Sequence, residues 1–260
     1  MLRIRLFCIT SIFLCALYSS RAQNLDSLAV GYERIVFEGA SLAEVNDALM
    51  AKAGCYKQLG RYADASATLS RVRLFALSAD ERRNVLYQQE LCWFLGGDFG
   101  QAASLVEEVG DDTSDALLLH ALVLAYAGRY DDSEIYAARY ISWDGTGERL
   151  PELLALYASH PQPRDAATTM VLSFVPPLGH FYNGEYGEGM LSGTLNAASV
   201  AFTVANLIGG YWITGILGGG IALNYTLMGA QERTAELVEK HRVNDAIAFG
   251  DRLRTFLLAE

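Results

Sequence analysis

The chain has 260 residues, of which 52% are hydrophobic, and its thirty acidic against twenty basic side chains leave a formal net charge of −10. Such a surface repels the phosphate backbone, so nucleic acid is excluded as a partner. A mean hydropathy of +0.17 is high for a freely soluble protein, and the apolar excess is confined to residues 1–22 and 189–230.

The N-terminus places Arg3 and Arg5 ahead of an apolar run from Leu6 to Tyr18, then small residues at Ser20 and Ala22. That run is short for a bilayer span, so 1–22 reads as a signal peptide cleaved after Ala22, with an uncleaved anchor as the other reading. Leu14 immediately before Cys15 argues against a lipoprotein signal. Cleavage removes Cys8 and Cys15 and leaves Cys55 and Cys92, each inside an apolar helical pattern as a small buried side chain. An amphipathic helix follows from Leu25 to Gly39, placed to cap what comes next.

Three segments then share one layout. The first, Asn46 to Ala79, contains Leu59-Gly60-Arg61-Tyr62-Ala63-Asp64-Ala65; the second, Arg83 to Asp111, contains Gly97-Asp98-Phe99-Gly100-Gln101-Ala102; the third, from Ser114, contains Gly128-Arg129-Tyr130-Asp131-Asp132-Ser133. In each, a glycine is followed two residues later by an aromatic and three residues after that by Ala or Ser. The glycine ends one helix in a left-handed cap, the aromatic fills the wedge between two helices, and the small residue lets the second cross closely. No unit of this size buries its apolar stripe alone, so neighbours must stack.

These residues resemble the tetratricopeptide repeat over Asn46 to Tyr140. The resemblance implies a short α-solenoid, residues 23–143, whose first helices line a peptide-binding groove; related helical repeats or a plain bundle fit the same pattern. Departures are Glu90, where the other units have Ala53 and Ala121, Ser133 in place of Ala65 and Ala102, and the missing closing prolines. The expected groove residues are Lys52, Lys57, Gln58, Gln88 and Gln89.

Residues 144–172 read as a break at Asp144-Gly-Thr-Gly147, a short helix over Leu150 to Ser159 and a linker at His160–Asp165. Beyond Glu188 no charged side chain occurs until Glu232, room for two helical spans that break at Gly209-Gly210. Residues 173–230 are therefore a two-helix transmembrane hairpin, with a buried soluble hairpin as the alternative that its Asn and Thr residues leave open. Gly189 and Gly193, like Gly215 and Gly219, stand four apart and suit close helix packing, within the hairpin or in a homo-oligomer through the Gly215/Gly219 face. Pro176, Gly179, His180, Tyr182, Gly184 and Gly189 resemble the Pro-Gly-x-Gly-Gln/His-x-Tyr-x-Gly opening of a bacterial two-span membrane family over Phe174 to Gly229, with Pro177 where that family has glycine. This implies a membrane-embedded accessory module. Residues 231–260 read as an amphipathic C-terminal helix that continues from the second span.

Chemistry is sparse. His120, His160, His180 and His241 lie far apart, and no metal-type spacing, nucleophile elbow or phosphate loop is present. No catalytic residue, cofactor or metal is expected, and the chain reads as a non-enzyme. His180, beside glycine and aromatics, either hydrogen-bonds the bend or acts as an ionisable group near membrane depth. The expectation is an all-α protein anchored in the bacterial inner membrane, its repeats in the periplasm binding a protein or peptide. The competing reading is an accessory component of a membrane transport or envelope enzyme complex that works through the glycine-rich hairpin.

Overall fold

The computed structural model describes residues 22–39, 41–143, 147–162 and 165–259. The expected signal peptide lies outside the described residues but for Ala22, which begins a helix in this structure. Every regular element among the described residues is helical. The chain divides into two compact units, 1–158 with 253–260, and 159–252.

The first unit starts with α1 (22–38) and continues as three helical pairs. These are α2 (Leu42–Gln58) with α3 (Tyr62–Leu69), α4 (Ala79–Leu95) with α5 (Phe99–Val109), and α6 (Ser114–Tyr126) with α7 (Tyr130–Ile141). The pairs start where the local chemistry favours it. Ser41 with Glu44 and Ser78 with Glu81 form capping boxes at α2 and α4, and Thr113 caps α6. Their cores interlock: Leu49, Ala53, Ala65 and Leu69 of the first pair are buried together with Val85 and Cys92 of α4. Ala102 and Val106 of α5 likewise share a core with Leu119 and Val123 of α6. Each pair therefore completes its neighbour, as stacking requires. The interval from Gly60 to Gly97 exceeds that from Gly97 to Gly128 because a 3-10 turn, Leu74–Ala76, intervenes before α4. The loop leading into that turn is fixed by buried Asn46, whose side chain donates to the Arg73 carbonyl at 3.2 Å and accepts from its N–H at 2.9 Å. Helix α8 (Leu150–Ala158) follows, and Leu253 and Leu257 near the C-terminus are also buried in this unit.

Ser133, the departure from the small-residue pattern, has a purpose in this packing. Its hydroxyl donates to the Ala121 carbonyl at 2.6 Å and shares a 2.6 Å hydrogen bond with the Tyr157 hydroxyl, which ties α8 to α7.

The second unit contains α9 (Ala166–Ser173), α10 (Leu178–Tyr182), α11 (Tyr186–Ile208), a π-helical segment Thr214–Gly219 and most of α12 (Gly220–Leu258). Of these, α11 is the one helix among the described residues long and apolar enough to cross a membrane. The region 211–230 does not form a separate second span of the same kind. Its glycines widen the helix into the π segment, and the helix then runs without interruption into the charged tail.

One turn recurs through both units. Gly60, Gly97, Gly128, Gly184 and Gly210 all have φ between 71° and 82°. The residue after each donates its N–H to the carbonyl five positions earlier, at 2.8 to 3.0 Å. This is the 6→1 bond of a Schellman cap, which satisfies a terminal carbonyl and needs a residue without a Cβ in the left-handed region. Two positions after the glycine comes Tyr62, Phe99, Tyr130, Tyr186 or Trp212; five positions after comes Ala65, Ala102, Ser133, Gly189 or Gly215, every one buried. The phrase read three times in the sequence is thus used five times in the fold.

Candidate functional site

The expected groove residues are largely committed within the chain. Lys52 is buried, and its Nζ lies 2.7 Å from Glu33 of α1. The same carboxylate accepts two further bonds from Arg71, at 2.9 and 3.0 Å. The Arg71 and Lys52 donors hold the Glu33 carboxyl down to about 2. Lys57 Nζ donates to Gln88 Oε1 at 2.6 Å, joining the first and second pairs. Gln89 is half-buried, and Gln58 is exposed. Helix α6, which an open array would present to a ligand on one face, has Ala116, Leu117 and every residue from Leu119 to Tyr126 buried. The Lys52 ammonium is thus paired within the chain, whereas Lys57 is held by a neutral amide and keeps its charge.

A cleft of about 370 Å³ opens elsewhere in this unit, between α4 and the turn from α5 to α6. Asn84, Tyr87, Asp112 and Asp115 line it, together with Arg83, which pairs with both Asp80 and Asp112. Three carboxylates face one guanidinium, so the cleft favours a positively charged occupant. The sequence pattern gave no reason to single it out, because its acidic residues lie on two different elements.

Beneath the cleft's helices sits a buried ionisable pair. Glu90 of α4 and His120 of α6 are both 0% exposed, with His120 Nε2 3.2 Å from Glu90 Oε2. The ring is too far off line for a well-formed hydrogen bond, and both side chains otherwise have no hydrogen-bond partner. Burial pushes the Glu90 carboxyl above its ordinary value, opposed by His120. The Tyr136 ring stands edge-on to the imidazole at 5.2 Å. Glu90 occupies the position that Ala53 and Ala121 hold in the other pairs, so the exception to the repeat carries the buried ionisable group. No third ligand converges on it: among the described residues no three His, Cys, Asp or Glu side chains form a metal-binding group. Cys55 and Cys92 are free and buried, and burial raises both thiols.

In the second unit the motif residues come together around the bend. The Pro176–Pro177 peptide is cis. Gly179 and Gly189 are close-approach positions: a Cβ on Gly179 would lie 2.9 Å from the Ser173 Cα, and one on Gly189 2.6 Å from the Phe181 ring. Gly184 supplies the turn described above, while the Tyr182 ring remains exposed. His180 is 3% exposed, its carbonyl accepts the Glu185 N–H at 3.0 Å, and its Nδ1 has no partner. Burial lowers its basicity, so the ring is favoured neutral. The remaining histidines are dispersed, His160 beside Gln162 at 3.0 Å and His241 3.8 Å from Glu185.

The glycine faces are used internally. A Cβ on Gly219 would fall 2.8 Å from the Thr203 Cβ and 3.0 Å from its Cα; one on Gly215 would meet Leu207 at 3.1 Å. The Gly215/Gly219 face therefore lies against α11 of the same chain and is not free for the homo-oligomer expected through it. No family model, curated protein or solved structure matches this chain.

Proposed function

We propose that the chain is a membrane-anchored interaction protein, in which the hairpin formed by α11 and the 211–230 region lies in the bilayer and the helical pairs recruit a protein partner. The observation that carries this reading is exposure where burial would be required in water. Only 11% of the apolar window of α11 is buried, and Leu191, Ile208, Trp212, Ile213 and Ile216 are each at least 59% exposed. A contiguous apolar surface of this extent is found on soluble monomers only at interaction sites, and hydrocarbon solvates it without cost. Trp212 and Tyr211 beside the Gly209-Gly210 bend, and Tyr182 and Tyr186 at the opposite end, suit two headgroup levels.

The partner surface is the acidic cleft at α4, where Asp80, Asp112 and Asp115 outnumber Arg83, and its ligand is a basic peptide segment of another envelope protein. The leader reading places the repeats in the periplasm. Alkaline washing of membranes tests the anchor: the full chain should stay in the pellet, and release into the supernatant would refute it. In-cell crosslinking from position 84 tests the cleft. Asp112→Lys with Asp115→Lys should abolish the crosslinked partner; an unchanged product would refute the cleft as the docking surface.

A further inference from the structure

Between α11 and α12, wholly inside the second unit, runs a groove of about 540 Å³. Its two ends are fixed by cross-helix bonds. At one end Arg233 donates to both carboxylate oxygens of Glu188, at 2.8 and 2.9 Å; at the other the Thr226 hydroxyl donates to Asn196 Oδ1 at 3.0 Å. Eight residues of α11 separate them, about 12 Å of helix. The walls are made of small and apolar residues, with Gly229 on the α12 side. Tyr225 is 75% exposed and Leu191 63%, so on the membrane reading above, from which this inference starts, the groove opens sideways into hydrocarbon. Its inner part is polar: His180 lines it, 97% buried, and the buried His180 Nδ1 and Ser192 Oγ have no partner in the protein. Unsatisfied buried polar atoms at the head of an apolar trough call for a ligand with hydrogen-bonding groups at one end only.

The charges decide which head fits. Arg233 is shared by Glu188 and Glu236, the latter at 2.9 Å, and Lys240 also attracts the Glu188 carboxylate, so the rim presents both signs of charge. A purely anionic head answers only the guanidinium and leaves the carboxylates unmatched. A head with a primary ammonium beside a phosphate matches both signs: the ammonium donates to the carboxylates, and the phosphate accepts from Arg233. A quaternary ammonium has no N–H to donate.

We infer that the α11–α12 groove is a binding site for one ethanolamine phospholipid, with its head at Glu188 and Arg233, its glycerol region at His180 and Ser192, and an acyl chain along the apolar trough.

The test uses the full chain in a mild nonionic detergent, delipidated and then offered equal amounts of phosphatidylethanolamine, phosphatidylglycerol and phosphatidylcholine, with native mass spectrometry reading what is retained. One phosphatidylethanolamine should be kept about tenfold over either competitor, near the lower end of what a hydrogen bond to a charged group is worth. Glu188→Gln should bring phosphatidylethanolamine and phosphatidylcholine close to parity. Gly229→Leu should abolish retention by filling the groove, whereas Gly220→Leu, on the same helix but away from the groove, should not. A Cβ at either glycine meets nothing within 4 Å, so both variants should fold; circular dichroism checks this. Equal retention of the three lipids, preference for phosphatidylglycerol, or undiminished binding by Gly229→Leu would overturn the site. A wild-type chain that stays monodisperse without detergent would instead overturn the membrane embedding, and the lipid site with it.

Discussion

Replacing Glu90 with Gln should change the pH dependence of stability in a direction the burial fixes. In the folded chain Glu90 is 0% exposed, and burial raises its carboxyl above the ordinary 4.5, with His120 opposing that rise. A carboxyl whose folded value exceeds its unfolded one binds its proton more tightly when folded. Its stabilising contribution is complete below 4.5 and is lost as pH rises through the raised folded value. The loss is at most about 1.4 kcal/mol per pH unit for one proton. Gln keeps the shape and titrates nowhere, so the difference in stability between Glu90→Gln and wild type should grow in favour of the variant by up to that slope from pH 4.5 upward. It should level off once Glu90 is ionised in the folded state as well. Shifted groups that both proteins share, Glu33 and Asp111 among them, cancel in the difference. Urea unfolding of the full chain in nonionic micelles measures it. Trp93 fluorescence is the probe, since Trp93 packs on the core between the second and third pairs; the two exposed tryptophans, Trp143 and Trp212, are changed to Phe in both proteins. Parallel stability curves between pH 4.5 and 7 would refute the reasoning.

Other perturbations read the turns, the glycine face and the C-terminal tie. Gly97→Ala puts a Cβ into open space at φ 81°, so the whole cost is conformational, about 1–2 kcal/mol of stability in the same urea assay; an unchanged midpoint would show that the turn relaxes. Gly219→Leu must drive Thr203, and α11 with it, away from the π segment and should cost about 1–3 kcal/mol by overpacking. Gly218→Ala, whose Cβ would lie 3.6 Å from the Phe202 ring, should be near neutral, and equal thermal shifts for the two would refute the assigned packing face. Arg149 donates to the carbonyls of Phe256 and Ala259 and lies 4.4 Å over the Phe256 ring. Arg149→Ala should therefore make the last residues of the chain more rapidly digested by carboxypeptidase, and an unaltered rate would remove Arg149 as their anchor.

What the sequence makes legible follows from which interactions are local. A Schellman turn needs one glycine and its near neighbours, so Gly60, Gly97 and Gly128 can be recognised without tertiary information. The same signal is present at Gly184-Glu-Tyr-Gly-Glu-Gly189 and Gly210-Tyr-Trp-Ile-Thr-Gly215, where the apolar surroundings lead to an interpretation as bend and membrane spacing instead. Long-range commitments leave no such trace. Lys52 reads as a free groove charge because its partner, Glu33, lies nineteen residues away on another helix. The acidic cleft is assembled from α4 and a turn almost thirty residues later, as the separation of Arg83 from Asp112 shows. Glu90 is the instructive intermediate. Its departure from the alanine of the other pairs is visible by alignment of the repeats, yet only the fold brings His120 within 3.2 Å and strips both of water. The continuity of α12 into the tail is legible, because the apolar spacing of 237–257 carries the helix on from the glycine-rich stretch; the π segment at Thr214–Gly219 is not, since only packing of its glycines against α11 sets it apart from ordinary helix. Local rules thus recover the turns and the helix class, and the candidate sites arise where a residue departs from its repeat and a distant side chain answers the departure.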